Sequence, residues 1–169
     1  MNGILLSVSE PNGFPALSIE MHNGKVSPGG PFDGSAVSFD SSFLQVVMSC
    51  DLGDGNPFRV QTNLPSKYSL CDNQWHNVSA MYDSEQIALR IDNQPSMTTL
   101  AQNRMAGKIH TKNPLYIGGL PDTAPSGTLL SRENFKGCIR NVVIRNELKD
   151  WTDMDELQNV LLSECLAIN

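Results

Sequence analysis

The sequence predicts an all-β fold, an antiparallel two-sheet sandwich with one short C-terminal helix. Three observations carry that expectation. Turn chemistry interrupts the chain at Glu10-Pro11-Asn12-Gly13, His22-Asn23-Gly24, Ser27-Pro28-Gly29-Gly30-Pro31, residues 51–57, Asp92-Asn93-Gln94-Pro95 and Gly118-Gly119-Leu120-Pro121. Helices of ordinary length do not fit between those turns. Several of the intervening pieces alternate apolar and polar residues with period two, and only one stretch, near the C-terminus, has helical periodicity.

In chain order, Leu17, Ile19 and Met21 alternate with Ser18 and Glu20. Val78, Ala80 and Tyr82 alternate with Asn77, Ser79 and Met81, and Ile87, Leu89 and Ile91 with Ala88, Arg90 and Asp92. Each reads as a half-buried strand with its apolar side turned to a core. Asn23-Gly24 follows the first of them, and both residues tolerate the positive φ of a type I′ hairpin turn. Residues 27–43 are small, polar and turn-rich, and read as a long loop or insertion. Residues 44–49 are strand-like. Late in the chain, Thr152 or Asp153 is placed to cap a helix, Glu156 lies three residues after Asp153, and Met154, Leu157, Val160 and Leu161 recur at helical spacing. Such a helix would cover an opening of the core.

With 169 residues, 40% hydrophobic and 18% charged, the chain can bury one core, and a single domain over residues 1–169 is expected. Its longest apolar run, residues 165–168, falls far short of the roughly 20 residues of a membrane-spanning helix. The N-terminus has no basic stretch leading into an apolar one, so the expectation is a piece of something longer. Twelve basic against eighteen acidic residues give a net charge of -6, a field that repels nucleic acid and disfavours strong heparin binding. Cys50, Cys71, Cys138 and Cys165 form no Cys-x-x-Cys pair, which favours disulfides in an oxidising compartment over a zinc site and leaves three pairings open. Asn77-Val78-Ser79 is an N-glycosylation acceptor and points the same way.

Catalytic constellations are sparse. His22, His76 and His110 fall in no nucleophile elbow, zinc-binding helix or Cys/His arrangement, and read as surface or turn residues. Asp150, Asp153, Asp155 and Glu156 read as a solvated helix start. Residues 93–121 lack Asp and Glu but hold Arg104, Lys108, His110 and Lys112, a local basic rim suited to an acidic glycan or protein patch. Trp75 and Tyr116 are expected in the core, and Trp151 beneath the late helix.

Five strings, in register along nearly the whole chain, resemble the laminin G-like module. They are Asn2-Gly3-Ile4-Leu5-Leu6, Leu17-Ser18-Ile19-Glu20-Met21, Cys71-Asp72-Asn73-Gln74-Trp75-His76-Asn77-Val78, Leu115-Tyr116-Ile117-Gly118-Gly119-Leu120-Pro121 and Phe135-Lys136-Gly137-Cys138-Ile139-Arg140-Asn141-Val142. The nearest look is to the C-terminal globular modules of laminin alpha chains; neurexin, agrin and perlecan modules are more distant. The resemblance implies a jelly-roll, concanavalin-like sandwich and a terminal disulfide between Cys138 and Cys165. It leaves Cys50 and Cys71 either as a second pair or as buried thiols. It further implies that the module's first strands are missing, exposing a sheet edge. Residues 27–43 intervene where Val26 would otherwise run on into a strand such as Val46-Val47-Met48.

Many members of that family bind calcium at the sandwich rim through two aspartates and backbone carbonyls. Those positions are Pro15 and His110 here, and neither supplies a carboxylate. Asp51-Leu52-Gly53-Asp54-Gly55-Asn56 lacks the further ligands of a calcium loop. No cofactor is expected, calcium included. The function implied is a non-enzymatic recognition module, secreted into extracellular matrix and basement membrane. Its expected partners are integrin-type receptors and adjacent laminin G-like modules or laminin chains, with weak heparin or glycan contact and no nucleic acid or membrane insertion. The rivals are a polysaccharide-active enzyme on a lectin-like sandwich, which would need two carboxylates about 5 to 9.5 Å apart, and a structural spacer without a ligand.

Overall fold

Alternation becomes strand wherever a neighbouring strand takes up the backbone hydrogen bonds. The computed structural model describes residues 2–14, 16–23, 44–53, 55–62, 64–65, 68–83, 86–100, 114–162 and 165. It divides into two compact units, Met1–Phe135 and Lys136–Asn169. The first holds β1 (Gly3–Ser9), β2 (Ala16–Asn23), β3 (Leu44–Asp51), β4 (Phe58–Gln61), β5 (Val78–Tyr82), β6 (Gln86–Ile91), β7 (Met97–Leu100) and β8 (Tyr116–Ile117). These make a five-stranded sheet in the order β4-β3-β2-β1-β8 and a three-stranded sheet in the order β5-β6-β7, every pair antiparallel.

The period of two decides what each sheet contributes to the core. Met21 of β2, Val46, Met48 and Cys50 of β3, and Phe58 and Val60 of β4 pack with Ile87, Leu89 and Ile91 of β6, and Leu17 and Ile19 lie against them. β3 is buried on its other face too, where Gln45, Val47, Ser49 and Asp51 lie. That second face is largely polar, and Ser18 and Glu20 continue it on β2. A buried carboxylate there needs donors. Glu20, 1% exposed, accepts from the Leu130 amide at 3.1 and 3.0 Å, one bond to each oxygen, from the Ser131 amide at 3.1 Å and from Ser18 Oγ at 3.3 Å. Ser18 Oγ also meets Thr128 Oγ1 at 2.8 Å. The chain around residues 128–131 is thereby tied over the polar face. Burial pushes the Glu20 carboxyl above its ordinary value, and the Leu130, Ser131 and Ser18 bonds with the nearby Arg59 charge pull against that.

Three of the five family-like strings meet at one crossing. The Ile4 amide donates to Glu133 O at 3.0 Å, the Gly118 amide to Leu5 O at 3.1 Å, and the Phe135 amide to Gly118 O at 2.8 Å. Gly118 adopts φ +79°, a conformation a side chain rarely tolerates. At Gly3 the reason for glycine is space, because a Cβ there would lie 2.8 Å from Phe135 Cα. β1 is thus flanked by β2 and β8 and is not a free edge.

Several expectations are corrected. Asn23-Gly24 does not make a two-residue hairpin, since Asn23 pairs with Leu44 and residues 24–43, which lie outside the described residues, connect them. A turn of that kind forms in the second unit instead, where Arg145 and Asn146, both at positive φ, join β9 (Val143–Ile144) to β10 (Glu147–Leu148). The late helix shrinks to one 3-10 turn, Trp151–Asp153, with Asp150 as its cap through the Thr152 amide at 3.0 Å. Leu157, Val160 and Leu161 are exposed and Asn159 sits at φ +54°, so no buried face supports nucleation and the backbone leaves helical geometry. Trp151 opens this turn half-buried, and among the described residues no longer helix follows it.

β5 forms as expected, but Val78, Ser79, Ala80 and Met81 are all exposed. Trp75 is 49% exposed rather than in the core, whereas Tyr116 packs against the small cluster of Ile4, Leu120 and Ala124. Cys138 and Cys165 are joined, with Cα atoms 5.7 Å apart. No disulfide joins Cys50 to Cys71: Cys50 points into the core from β3, and Cys71 is exposed in a loop.

Candidate functional site

The register of the β5–β6 hairpin builds the site. Val78 pairs with Ile91, which sets Asn77 opposite Asp92. The Asn77 amide donates to Asp92 Oδ1 at 2.6 Å, and the Asp92 amide donates back to Asn77 O at 2.8 Å. Asp92 holds φ +48° in the turn that follows β6, a position in which a short polar side chain is tolerated. Its other oxygen, Oδ2, accepts from His76 Nδ1 at 2.9 Å and from the Tyr68 hydroxyl. On the far side of the imidazole, His76 Nε2 meets Asp72 Oδ1 at 3.0 Å, and that oxygen also receives the Gln74 amide at 2.9 Å. The Tyr68 ring lies 5.7 Å from the His76 ring, tilted by 55°.

An ionised carboxylate only accepts hydrogen bonds, so the protonated ring, with both nitrogens donating, is the form that the two carboxylates favour. Burial works to lower the His76 pKa, but the bonds to Asp92 and Asp72 and their charges outweigh it and hold the group above its ordinary value. Burial likewise works to raise Asp92, and the Tyr68, Asn77 and His76 bonds bring it below the usual carboxylate range. The Gln74 amide and His76 lower Asp72, and the hydrogen bond to Asp92 pushes the Tyr68 phenol up to about 12. A histidine with both nitrogens donating has no lone pair with which to take a proton from a substrate. The cluster's chemistry is consumed in bracing the loop. What the braced loop presents is Trp75, held between Gln74 and His76.

The other anticipated residues fall elsewhere. Arg104, Lys108, His110, Lys112, Pro15 and Asp54 lie outside the described residues. Asn77 is exposed at the foot of β5, and His22 is half-buried on β2. Among the described residues there is no group of three or more His, Cys, Asp or Glu side chains fit to hold a metal. Asp51 caps its own turn, with Oδ1 accepting from the Gly53 amide at 2.6 Å and the Gly55 amide at 3.3 Å. Two N–H dipoles aimed at that oxygen oppose a cation, and its other oxygen is sealed from solvent without a hydrogen-bond partner. Among the described residues of this stretch, Asp51 Oδ1 is thus already engaged in holding the turn. Asp150 is spent as a cap, and Glu156 accepts from Gln158 Nε2 at 2.6 Å. Tyr68, Asp72 and Asp92 were not singled out by sequence, although pairing the alternations of 78–82 and 87–91 places Asp92 beside the His76–Asn77 pair.

Known proteins resemble the chain at both levels. The pattern of the laminin G domain family matches residues 33–147. Laminin subunit alpha-1 of Mus musculus is 32% identical over 122 residues, 72% of this chain and 4% of that protein. Laminin subunit alpha-3 of Homo sapiens is 31% identical over 127 residues, again 72% and 4%. Laminin subunit alpha-4 of Mus musculus is 30% identical over 113 residues, 64% and 6%. The chain thus spans only a small fraction of these relatives. Domains LG4-5 of the mouse laminin alpha1 chain superpose with a TM-score of 0.70 at 24% identity, covering 93% of this chain and 35% of that one.

Proposed function

The chain belongs to the laminin G domain family, and from that premise we propose that it is a secreted, non-enzymatic recognition module of extracellular matrix and basement membrane. Its partners are integrin-type receptors and neighbouring laminin G-like modules or laminin chains, with heparin or other glycans bound weakly and no metal required. The observation that carries this reading is the Trp75 loop, an exposed aromatic on a backbone fixed by His76, Asp72 and Asp92. A large, pre-positioned amphipathic ring is the kind of side chain that dominates binding hot spots. Rigid sheets with braced loops suit recognition, and the carboxylates on both sides of His76 favour its protonated form, which offers no lone pair to a substrate proton.

Attachment of integrin-bearing cells to the immobilised chain, with and without integrin-blocking antibody, tests the proposal. Attachment that the antibody abolishes, and that Trp75→Ala weakens at least tenfold with circular dichroism unchanged, is the expected result. No attachment to folded protein, alone or beside its neighbouring modules, contradicts the adhesive role. Full attachment of Trp75→Ala contradicts the placement of the site.

A further inference from the structure

His76 is held from two sides, and the two holds differ in what anchors them. Nδ1 faces Asp92 Oδ2 at 2.9 Å, and Nε2 faces Asp72 Oδ1 at 3.0 Å. Asp92 belongs to the turn that follows β6, where its amide and its Oδ1 are bonded to the Asn77 backbone and its Oδ2 also takes the Tyr68 hydroxyl. Those bonds pin it. Asp72 lies four residues before His76 in the same loop, its side chain 40% exposed against 27% for Asp92, and its bonded oxygen also takes the Gln74 amide at 2.9 Å. Between Asp72 and Gln74 the chain passes through Asn73 at φ +59°, a left-handed backbone that a short polar side chain tolerates. Among the described residues the loop brings Tyr68, Cys71 and Asp72 to this neighbourhood, and the turn brings Asp92. β6 brings Arg90, opposite Ser79 and two steps along the ladder from Asn77, and β5 brings Tyr82 at its far end. The charges that act on the ring are those of Asp72 and Asp92.

We infer that His76 is a latch with a fixed side and a release side: when the ring loses its proton, the bond to Asp92 stays, the bond to Asp72 opens, and the loop that carries Trp75 loosens. A neutral imidazole keeps one N–H and exposes one lone pair. A lone pair facing a carboxylate oxygen is repelled, so the proton remains with the carboxylate that cannot move and the lone pair falls to the one that can turn to water. Asp72 then swings out and lets go of the Gln74 amide that it also holds. The charges of both carboxylates keep His76 above its ordinary 6.5, so the closed loop belongs to mildly acidic conditions and opens as pH rises through the folded value. The latch is a property of the chain alone; only its effect on contacts made by Trp75 rests on the adhesive reading above.

The test is an NMR titration of the full, isotopically labelled chain with no ligand present, so its outcome is separate from that of the attachment assay. Above the His76 midpoint the ring nitrogens are expected to show the Nδ1–H tautomer, with Nε2 bare. Amide exchange, corrected for its intrinsic base catalysis, is expected to quicken about tenfold at Gln74 across the same midpoint while Asn77 and Asp92 keep their protection. Asp72→Asn removes the step at Gln74, because a carboxamide can accept from Nε2–H below the midpoint and donate to bare Nε2 above it. A neutral ring in the Nε2–H form, loosening at Asn77 rather than at Gln74, or an undiminished step in Asp72→Asn overturns the inference.

Discussion

Glu20 and Asp92 each fasten a loop to a sheet by gathering several donors onto one carboxylate. Glu20 collects the Leu130 and Ser131 amides with Ser18 Oγ, and Asp92 collects Tyr68, His76 and the Asn77 amide. The surroundings differ. Glu20 is sealed beneath the polar face of the large sheet, where desolvation wins and its pKa rises. Asp92 is only partly covered, so donors and a neighbouring cation win and its pKa falls. The number of hydrogen bonds is therefore a poor guide to the sign of a shift; the water left around the group decides it.

The comparison breaks most visibly at Glu20. Glu20→Ala leaves the part-buried amides of Leu130 and Ser131 without their acceptor and opens a void in the sealed polar face, and is expected to lower the unfolding free energy by about 3 kcal/mol in urea titration. Asp92→Ala leaves its former donors near solvent, and a loss of about 1 kcal/mol is expected in the same measurement. The pH dependences run in opposite senses. His76, raised above 6.5, contributes stability that is complete below pH 6.5 and lost as pH climbs through its folded value. Asp92, held below 3.8, contributes stability that is complete above pH 3.8 and lost as pH falls through its folded value. Glu20, raised above 4.5, favours the fold most below pH 4.5 and less as pH rises through its own folded value. Urea midpoints across pH should therefore fall on the alkaline side in the native chain, and that limb should flatten in His76→Gln. The smallest effect belongs to Asp72→Asn, at an exposed carboxylate, where the urea midpoint is expected to stay nearly unchanged.

How much of this was legible beforehand follows from where each signal lives. Leu17-Ile19-Met21 and Ile87-Leu89-Ile91 announced their strands because the same alternation that shapes a strand also buries it when another sheet lies opposite. Val78-Ala80-Tyr82 announced a strand and misled about burial, since burial depends on elements elsewhere in space. The helical spacing of Met154, Leu157, Val160 and Leu161 failed because periodicity alone does not offset the cost of nucleation, and Asn159 takes a left-handed backbone within the stretch. Cys50 and Cys71 looked pairable along the chain, yet one belongs to the core face of β3 and the other to an exposed loop. Of the site, His76 and Trp75 stood out as residue types, while Tyr68 and Asp92 became visible only through the β5–β6 register. The family-like strings mark the junctions themselves: Gly3, Gly118 and Phe135 where backbones cross, and residues 71–78 where the loop is clasped.

That these side chains act as braces rather than as chemistry is tested most directly at His76. Ring-nitrogen NMR of the isotopically labelled chain at pH 6.5 should show His76 mainly as the imidazolium, with both nitrogens protonated. A ring that is mainly neutral at that pH, with one nitrogen free to accept a proton, would contradict the account.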